Sequence, residues 1–575
     1  MDEEIEAQAK EQAEINALYN ALKHESEAQV GAIMGPLMGD NPEFREYGDQ
    51  LAGVIAPVVE KVNRLDAEQR RERLAELAPE KLEDLEDEDE TDDRLLPELP
   101  NVEEYDEVRM RVAPNPNGPW HIGHARMAAV VGTYKDIYDG SFICRFDDTD
   151  PETKRPDLDA YDAILDAIEY LGFEPDEVIK ASDRLETYYD HARELIDEGG
   201  AYTCSCPGEE FSELKNDAEA CPHRGKGIEQ VHEEFERLVD GEYDEGEMVL
   251  RVKTDIEHKN PALRDWVAFR LIETPHPREE AESYRCWPML DFQSGIDDYL
   301  TGVTHIIRGI DLQDSAKRQQ FVYDYFDWEY PEVIHWGHVQ VDEYDVSLST
   351  STIAELIEAG ELDGWDDPRA PTVASLEQRG IRGEALVNAM VALGTSTSNV
   401  DLAMSSVYSE NRDLIDDETD RAFLVREEAA GGAVELAVDG GPAVGEPLVH
   451  PDHEDRGRRE LPTTGGVLLE ADDLPPEGER VWLKGFGCVR YTGGSLEYTD
   501  DDLDVTREGD VDIVHWVPAE KNYPTVLRTV DGDVSGYAEP GIGDYEADEM
   551  VQFERVGFAR LDAIDDEVLA YFAHR

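Results

Sequence analysis

Two histidines stand three residues apart where a predicted strand gives way to a predicted helix. The segment Arg111-Val-Ala-Pro-Asn-Pro-Asn-Gly-Pro-Trp-His121-Ile-Gly-His124 is typical of a strand, a Pro-rich turn and a first helical turn. Ligands of α/β sheets bind at such strand ends, and a helix N-terminus favours phosphate. His121 and His124 can donate hydrogen bonds to phosphate oxygens without carrying a full charge. Gly123 has no side chain, so a flat base can lie against its backbone.

The same segment resembles a family signature. RxAPxPxGxxHIGH is the form that this chain shows from Arg111 onward, and it is similar to the signature of class I aminoacyl-tRNA synthetases of the glutamyl/glutaminyl subgroup. The resemblance implies that the turn and the helix start bind ATP, through Pro114, Asn115, Gly118, His121, Gly123 and His124. It also implies that His121 and His124 are catalytic.

A second family signature, the KMSKS loop, closes on the ATP phosphates, and residues 346–352 (VSLSTST) resemble it. The resemblance implies ATP binding by Ser349 and Ser351 and a catalytic role for both and for Thr350. Ser347 and Thr350 stand where the family has lysines, which would neutralise charge on the leaving pyrophosphate. We therefore expect a Mg²⁺ ion or basic residues elsewhere in the chain to supply that charge.

Three residues are candidates for holding the amino-acid substrate. Arg111 ends the first strand and can pair with a carboxylate. The resemblance implies that Asp147, after the next strand, faces the substrate's amino group. It also places Arg308 where glutamate enzymes have Arg and glutamine enzymes have a small uncharged residue. A buried guanidinium pairs with a carboxylate and would be left unpaired by an amide, so Arg308 favours glutamate.

This chain departs from the family at one position of the same pocket. Relatives usually place a substrate-contacting tyrosine where the segment Cys286-Trp-Pro-Met-Leu-Asp-Phe292 has Leu290. Trp287 and Tyr284 are the candidates to take over its contact.

Cysteines and one histidine form a predicted metal site. Cys204 and Cys206 are followed by Cys221 and His223, four soft ligands in one short segment and enough for a tetrahedral zinc. The alternative is a set of reduced cysteines without metal. Some members of the resembling family carry zinc in the same insertion, near the path of the tRNA acceptor end. Cys144, Cys286 and Cys488 are interpreted as lone buried thiols.

The composition bounds the class of protein. The 575 residues include 52 Lys+Arg and 135 Asp+Glu, a formal net charge of −83. Repulsion among so many negative charges is screened by salt, because the Debye length falls to about 3 Å at 1 M. We therefore expect a salty cytoplasm. No apolar run reaches the roughly 18 residues of a membrane span. Six cysteines do not predict a disulfide framework. We therefore expect a cytoplasmic protein that does not bind membranes.

The elements that carry these residues predict a multidomain chain. Strands and helices alternate after Val108 and again from Asp291 to His338, helices return over 371–416, and short strands follow Ala422. The fold class is a Rossmann-like α/β parallel-sheet catalytic domain with a helical N-terminal domain and C-terminal antiparallel β-barrels. The predicted boundaries are 1–80 (helical accessory domain), 81–104 (acidic linker), 105–365 (catalytic domain, with an acceptor-binding insertion at about 200–285), 366–420 (helical connecting domain) and 421–575 (β-barrels).

The last of these regions resembles an anticodon-binding region. The segments 450–453, 456–462, 512–518 and 551–555 are similar to the two-barrel end of glutaminyl-type enzymes. That end is shared by archaeal glutamyl enzymes, whereas the bacterial ones have a helical region. Barrel faces can stack unpaired bases. The candidate contacts are Arg456, Arg458, Arg459, Lys484 and Arg490.

Together these patterns predict ATP-dependent ligation of glutamate to tRNA(Glu) through a glutamyl-adenylate. The resemblance implies that activation requires bound tRNA. One alternative is a glutaminyl-tRNA synthetase, against which Arg308 argues. A second is an inactive tRNA-binding paralogue, favoured by the missing loop lysines and opposed by Arg111, Asp147 and the two histidines. Charging of tRNA(Gln) stays open, and a monomer is expected.

Overall fold

The chain forms two compact units, Met1–Pro97 and Glu98–Arg575. The computed structural model describes residues 3–23, 28, 30, 33, 37, 48–65, 67–78, 81, 96–427, 431–502, 506 and 511–575. Across these residues, no helix combines the length and the apolar character that crossing a bilayer requires. Most of the predicted acidic linker lies outside the described residues.

The first unit is helical. Its helices are α1 (Glu3–Lys23), α2 (Gly48–Asn63) and α3 (Ala67–Leu77). Ala9, Ala13 and Leu18, which recur at helical spacing in the sequence, are buried in one core with Leu51 and Ile55. The apolar side of α1 is mostly Ala and Leu, the residues with the strongest helix propensity. The helical prediction is confirmed for the described part of this unit.

A parallel sheet begins the second unit. Its elements are β1 (Arg109–Val112), α4 (Ile122–Tyr138), β2 (Ser141–Phe146), α5 (Leu158–Tyr170), β3 (Glu177–Lys180) and α6 (Leu185–Asp197). β2 lies between β1 and β3, and both pairings are parallel. All six residues of β2 are buried, as a strand covered on both faces requires. The predicted alternation of strands and helices is confirmed here.

An antiparallel sheet is inserted next. Its elements are β4 (Ala201–Cys204), α7 (Gly208–Asn216), α8 (Ile228–Val239), β5 (Val249–Val252), β6 (Val267–Leu271) and β7 (Cys286–Pro288). The strands pair in the order β4-β5-β6-β7. Tyr189, Phe235, Phe269 and Trp287 fill the core between this sheet and its helices.

The chain then returns to the parallel sheet. Its elements there are α9 (Leu290–Leu300), β8 (His305–Gly309), α10 (Gln313–Phe326) and β9 (Glu332–Trp336). β8 and β9 pair in parallel. The backbone N–H of Thr304 donates to the carbonyl oxygen of Arg109 at 2.8 Å, which places this pair beside β1. Residues that follow β1, β2 and β8 therefore come together.

A mainly helical segment follows. It contains β10 (Val339–Val341), α11 (Thr350–Glu358), α12 (Val373–Gln378), α13 (Gly383–Ala392), β11 (Val400–Leu402) and α14 (Met404–Ile415). The helical prediction for 371–416 is confirmed, with one addition. The short strand β11 interrupts the helices of 371–416. It pairs in parallel with β10, so these helices are joined through a strand pair to residues 339–341.

The rest of the unit is built of strands. They are β12 (Asp420–Ala422), β13 (Leu424–Arg426), β14 (Ala433–Asp439), β15 (Val444–Gly445), β16 (Leu461–Pro462), β17 (Val467–Glu470), β18 (Arg480–Leu483), β19 (Gly487–Tyr491), β20 (Ser495–Asp500), β21 (Ile513–Val514), β22 (Val517–Pro518), β23 (Tyr523–Thr529), β24 (Gly532–Ala538), β25 (Met550–Phe553), β26 (Gly557–Ile564) and β27 (Val568–His574).

These strands form two barrel-like sheets of seven strands each. One has the order β12-β25-β26-β27-β23-β24-β13 and the other the order β21-β18-β19-β20-β14-β17-β22. Most neighbours are antiparallel, as predicted, but β12–β25, β14–β20, β18–β21 and β23–β27 are parallel. β18 and β19 form a hairpin. It turns at Gly485, where φ is +75°, a conformation that glycine adopts without strain. The predicted fold class is confirmed.

Candidate functional site

The two histidines stack on each other at the start of α4. His121 is the N-cap residue of that helix, and its ring lies 3.6 Å from the ring of His124, centroid to centroid, at 20°. The turn before the helix is fixed by the segment that begins α12. The backbone N–H of Ile122 donates to the carbonyl of Pro371 at 2.9 Å, and that of Val373 donates to the carbonyl of Trp120 at 3.0 Å.

Both histidines are neutral near pH 7. Burial lowers the pKa of His121 to about 4. Burial, followed by the proximity of His121 and Lys154, lowers the pKa of His124 to about 3. The Nδ1 atoms of both rings are buried and have no hydrogen-bond partner among the described residues. The rings can therefore act as neutral hydrogen-bonding groups, as the sequence suggests.

A cavity of about 780 Å³ lies against the stacked histidines. Most of the residues predicted to bind ATP line it, and so does Thr350, which was predicted to be catalytic: the ATP-binding residues there are Pro114, Asn115, His121, Gly123, His124, Ser349 and Ser351. Gly118 does not line it, but its Cβ, if it had one, would lie 2.5 Å from Cγ2 of Thr350. Gly118 therefore allows the Pro-rich turn and the 346–352 loop to pack closely.

The 346–352 loop leads into helix α11 and supplies its N-cap residue. Ser349 is the N-cap of α11, and its Oγ accepts a hydrogen bond from the backbone N–H of Thr352. Ser349 and Ser351 are 3.1 Å apart between their Oγ atoms. Thr350 is buried. The loop thus presents hydroxyl groups and the N-terminus of a helix to the cavity, and both suit an anion.

A second cavity, of about 400 Å³, adjoins the first and shares residues such as Asn115 and Lys154 with it. The three residues predicted to hold the amino acid, Arg111, Asp147 and Arg308, all line this second cavity. Trp287 and Leu290 line it as well. Tyr284 does not, and its hydroxyl group reaches Glu186 at 3.3 Å instead. Of the two suggested replacements for the family tyrosine, only Trp287 is in place.

A fully buried carboxylate, Asp298, organises the arginines of this cavity. Its oxygens accept from Arg111 Nε at 3.1 Å and from Arg145 Nη1 at 2.7 Å, and Arg308 Nη2 lies 3.8 Å away. Burial alone would raise the pKa of Asp298, but the charges of these three arginines outweigh it and lower the pKa to about 2. Arg145 also donates to Asp147 at 2.7 Å. We call these five residues the Asp298 cluster.

Arg308 is the member of the cluster with the weakest contacts. Its Nη1 donates to Gln319 Oε1 at 3.1 Å, and its Nε is buried with no hydrogen-bond partner among the described residues. Burial, and then the positive charge of Arg111, lowers its pKa. Three guanidinium groups face two carboxylates in the cluster, so one positive charge is left over beside the cavity.

Two members of the Asp298 cluster were not predicted. Arg145 lies in β2, and Asp298 lies on α9 in the run Gly-Ile-Asp-Asp. Among 135 acidic residues, one buried aspartate gives no signal of its own. An arginine inside a strand that is otherwise apolar (SFICRF) is the signal that could have found Arg145, since such a charge must be paired when it is buried.

The predicted metal ligands converge. One donor atom from each of Cys204, Cys206, Cys221 and His223 lies within 4.8 Å of every other. The Sγ atoms of Cys204 and Cys206 lie 3.5 and 3.4 Å from that of Cys221, and Nδ1 of His223 lies 3.3 Å from it. Tetrahedral zinc has Zn–S bonds of about 2.3 Å, which gives sulfur–sulfur distances just under about 4 Å. The donor set and its spacing fit zinc. Cys144, Cys286 and Cys488 are buried free thiols, as predicted.

Two of the predicted anticodon contacts lie in an ion-pair network around the buried Glu539. Arg459, 8% exposed, pairs with Glu539 and with Glu554, and Lys484 pairs with Glu554. We call these four residues the Glu539 cluster. These pairs hold Arg459 inside the protein, which corrects the prediction for that residue, whereas the side chain of Lys484 is 40% exposed and stays a candidate contact. Arg456 also bonds within the protein, to the carbonyls of Asp417 and Glu418.

Arg458 and Arg490 are exposed, and each donates one hydrogen bond to a backbone carbonyl, of Glu446 and Gly478 respectively. Most of the donors on these two guanidinium groups therefore point to solvent, and both remain candidate contacts for a nucleic acid.

Comparison with known proteins places this geometry in a family. The model of the class I tRNA synthetases (E and Q), catalytic domain, matches residues 107–417. Two models of the anti-codon binding domain of the same synthetases match residues 419–506 and 513–562. The chain is 74% identical to the glutamate–tRNA ligase of Haloarcula marismortui and 69% identical to that of Natronomonas pharaonis, over 100% of each chain. It is 43% identical to that of Methanosarcina mazei, over 97% of this chain and 98% of the relative. The chain belongs to the class I tRNA synthetases of the E and Q family.

Proposed function

We propose that this chain uses ATP to ligate glutamate to tRNA. The carboxylate of glutamate attacks the α-phosphorus of ATP, an oxygen–phosphorus bond forms, and pyrophosphate leaves with the electron pair of the broken bond. A hydroxyl group of the terminal ribose of tRNA then attacks the adenylate, and AMP leaves. No covalent intermediate with the enzyme is involved, so positioning and electrostatic stabilisation carry the catalysis.

The observation that carries this function is the spare positive charge of the Asp298 cluster. Arg308 lines the 400 Å³ cavity and has a buried Nε without a partner among the described residues. A side-chain carboxylate would satisfy that charge, whereas the amide of glutamine would leave it unpaired at a cost of several kcal/mol, or roughly 10⁴-fold in selectivity. The site therefore suits glutamate better than glutamine.

The two cavities divide the remaining roles. In the larger one, His121 and His124 donate to phosphate oxygens, and Ser349, Thr350 and Ser351 hold the loop against the nucleotide. Pro114, Asn115, Gly118 and Gly123 shape the turn beneath it. In the smaller one, Arg111 and Arg308 face the carboxylates of glutamate, and Asp147 faces its amino group. A Mg²⁺ ion, when bound with the phosphates, would supply further positive charge there.

ATP–pyrophosphate exchange in multimolar KCl tests the function. It is measured with glutamate or glutamine, each with and without tRNA. Exchange with glutamate that depends on tRNA is the expected result. Exchange with glutamine alone would make the chain a glutaminyl enzyme. No exchange with either amino acid, while tRNA still binds, would make it an inactive tRNA-binding protein.

We also propose that Cys204, Cys206, Cys221 and His223 hold a structural zinc ion. Their spacing supports it, and Ser205 Oγ lies 3.2 Å from the outer nitrogen of His223, which would fix the ring for binding through Nδ1. Metal analysis of the purified chain should give about one zinc per molecule. Cys221→Ser should lose it and Cys488→Ser should keep it. Equal zinc content in these two variants would refute the site.

The nucleic-acid partner is proposed as tRNA(Glu), bound with its anticodon against the barrels within 421–575 and its acceptor end near the insertion at 200–285. The domain boundaries given from the sequence are kept as part of this proposal, with a monomer as the working form. Aminoacylation of separate tRNA(Glu) and tRNA(Gln) transcripts with labelled glutamate decides whether tRNA(Gln) is also charged. Light scattering after size-exclusion chromatography in KCl measures the oligomeric state.

A further inference from the structure

The loop that should supply positive charge to the leaving pyrophosphate carries none. Residues 346–352 include no lysine or arginine, and their contribution to the 780 Å³ cavity is hydroxyl groups and one leucine side chain. Pyrophosphate develops additional negative charge as its bond to the α-phosphorus breaks. Removing one preorganised donor from such a centre typically costs about 10²–10³ in rate. Besides a Mg²⁺ ion, a cationic side chain elsewhere in the cavity can fill this role.

Most cationic side chains of that cavity are already engaged. Arg126 is buried, and its two terminal nitrogens donate to the carbonyls of Gly337 and Gly394 at 3.0 and 2.6 Å. His338 faces Asp311 at 3.6 Å. Among the described residues that line the cavity, Lys154 is the cation with no ion pair or hydrogen bond.

The backbone holds Lys154 over the cavity. Asp150 Oδ1 accepts from the backbone N–H groups of Glu152 and Thr153 at 3.1 and 2.9 Å, which fixes the turn before Lys154. After it, the N–H of Asp157 donates to the carbonyl of Pro116 in the Pro-rich turn at 2.8 Å. The segment is therefore anchored at both ends, while the amine of Lys154 stays available.

Lys154 also lies near the groups that would contact phosphate. It lines both the 780 Å³ cavity and the 400 Å³ cavity, so it sits where the nucleotide and the amino acid must meet. Its positive charge contributes to the lowered pKa of His124, which places it within electrostatic reach of that ring. A flexible ammonium group is a suitable ligand for phosphate as a point charge.

We propose that the ammonium group of Lys154 binds the β- and γ-phosphates of ATP and stabilises pyrophosphate as it leaves, in place of the loop lysines. This proposal rests on the proposed ligase function. The step moves no proton: the carboxylate–phosphorus bond forms, the bridging bond breaks, its electrons stay on pyrophosphate, and Lys154 remains protonated throughout.

The test compares Lys154→Met and Lys154→Arg with the wild type in tRNA-dependent ATP–pyrophosphate exchange in multimolar KCl. Lys135→Met is the matched control, because it makes the same charge change at the far end of α4, outside both cavities. We expect Lys154→Met to lower kcat by about 10²-fold and to raise the KM for pyrophosphate. Lys154→Arg should stay within about tenfold of the wild type, because it keeps the charge.

The thermal unfolding midpoint of Lys154→Met should equal that of the wild type, since the side chain is exposed and unpaired. A kcat for Lys154→Met within threefold of the wild type would overturn the proposal, and so would an equal loss in Lys135→Met. If the wild-type chain shows no exchange with glutamate, the ligase function itself fails, and this result is distinct from a failure of the Lys154 proposal.

Discussion

The second unit contains two ionic clusters that differ in charge balance, each around a buried carboxyl group, Asp298 or Glu539. The Asp298 cluster sets three arginines against two carboxylates and borders a cavity of about 400 Å³. Above about pH 7, where Glu539 is ionised, the Glu539 cluster matches Arg459 and Lys484 with Glu539 and Glu554. Its members join the two barrel-like sheets, because Glu539 follows β24 in one sheet and Lys484 follows β18 in the other.

This difference in charge balance distinguishes a ligand-binding site from a cluster that only connects two parts of the fold. Burying an unmatched charge is costly, and a fold retains one only where a partner arrives to pair with it. A matched cluster has no such need and can hold two parts of a protein together. Charge balance in a buried cluster, together with an adjoining cavity, therefore indicates which arginines face substrate.

The largest expected effect is on activity, at the unmatched cluster. Arg308→Met should lower kcat/KM for glutamate in exchange by on the order of 10³-fold, because the substrate carboxylate loses its partner. Stability should change by less than about 2 kcal/mol, because Asp298 keeps Arg111 and Arg145. Arg109→Met, a half-exposed pair with Glu177, is the control and should retain full activity. If Arg308→Met used glutamate as efficiently as the wild type, the distinction between the Asp298 cluster and the Glu539 cluster would not hold.

The matched cluster should show the reverse pattern. Arg459→Met removes the partner of Glu539 and one partner of Glu554, and it should destabilise the fold by about 1–3 kcal/mol, because the buried carboxyl of Glu539 can take up a proton. Exchange at saturating tRNA, per folded molecule, should stay within about threefold. Guanidinium unfolding and exchange are measured on the same preparation, with Arg480→Met, a partly exposed pair with Asp500, as control. A loss of exchange in a variant of unchanged stability would show that the Glu539 cluster takes part in function.

A pH dependence should sharpen the contrast further. Burial raises the pKa of Glu539 to about 7 from an ordinary value of 4.5, although Arg459 acts in the opposite direction. Between these two values the folded chain binds more protons than the unfolded chain, so the contribution of Glu539 to stability is complete below pH 4.5 and is lost as pH rises through 7. Relative to Glu539→Gln, the wild type should therefore lose roughly 3 °C in unfolding midpoint from pH 5 to pH 8.

The exposed Glu567→Gln should show no such relative change over the same range. The difference in unfolding midpoint between the wild type and Glu539→Gln could instead stay constant with pH, or the wild-type midpoint could rise relative to that of the variant. Either result would mean that Glu539 is charged throughout this pH range.

The smallest effect is expected at the stacked histidines. Their pKa values of about 4 and 3 keep both rings neutral down to about pH 5. Lowering the pH from 7.5 to 6 should change the kcat of exchange by less than about twofold, whereas a histidine with the ordinary pKa of 6.5 would cost about fourfold. The pH–rate profile provides the measurement, and an inflection near pH 6.5 that disappears in His121→Asn would contradict the assigned neutral state.

Local patterns account for what the sequence could predict. The HIGH turn depends on residues within 14 positions of one another, so its strand, turn and helix were predictable, and so were the four ligands of Cys204 to His223. The Asp298 cluster joins β1, β2, α9 and β8 across as many as 187 positions, and no local pattern encodes such a meeting. Its aspartate is also hidden among many solvated acids.

The same reason explains the error in the barrels. Arg459 looks like a surface charge beside a strand, and its partner Glu554 lies 95 positions further along the chain. Lys484, which pairs with the same carboxylate, lies 70 positions before it. No pattern within a few residues of either side chain encodes contacts between residues so far apart.

One further arginine joins the catalytic part of the unit to its last strand. Arg379, buried after α12, donates to the carbonyls of Phe572 and Ala573 and to the hydroxyl groups of Tyr344 and Tyr408. A planar guanidinium offers its donors in a fixed fork, so these four groups cannot move separately without breaking bonds. The consequence is kinematic. Tyr344, two residues before the 346–352 loop, therefore moves together with the end of β27. A displacement of that barrel strand also displaces the residues just before the loop.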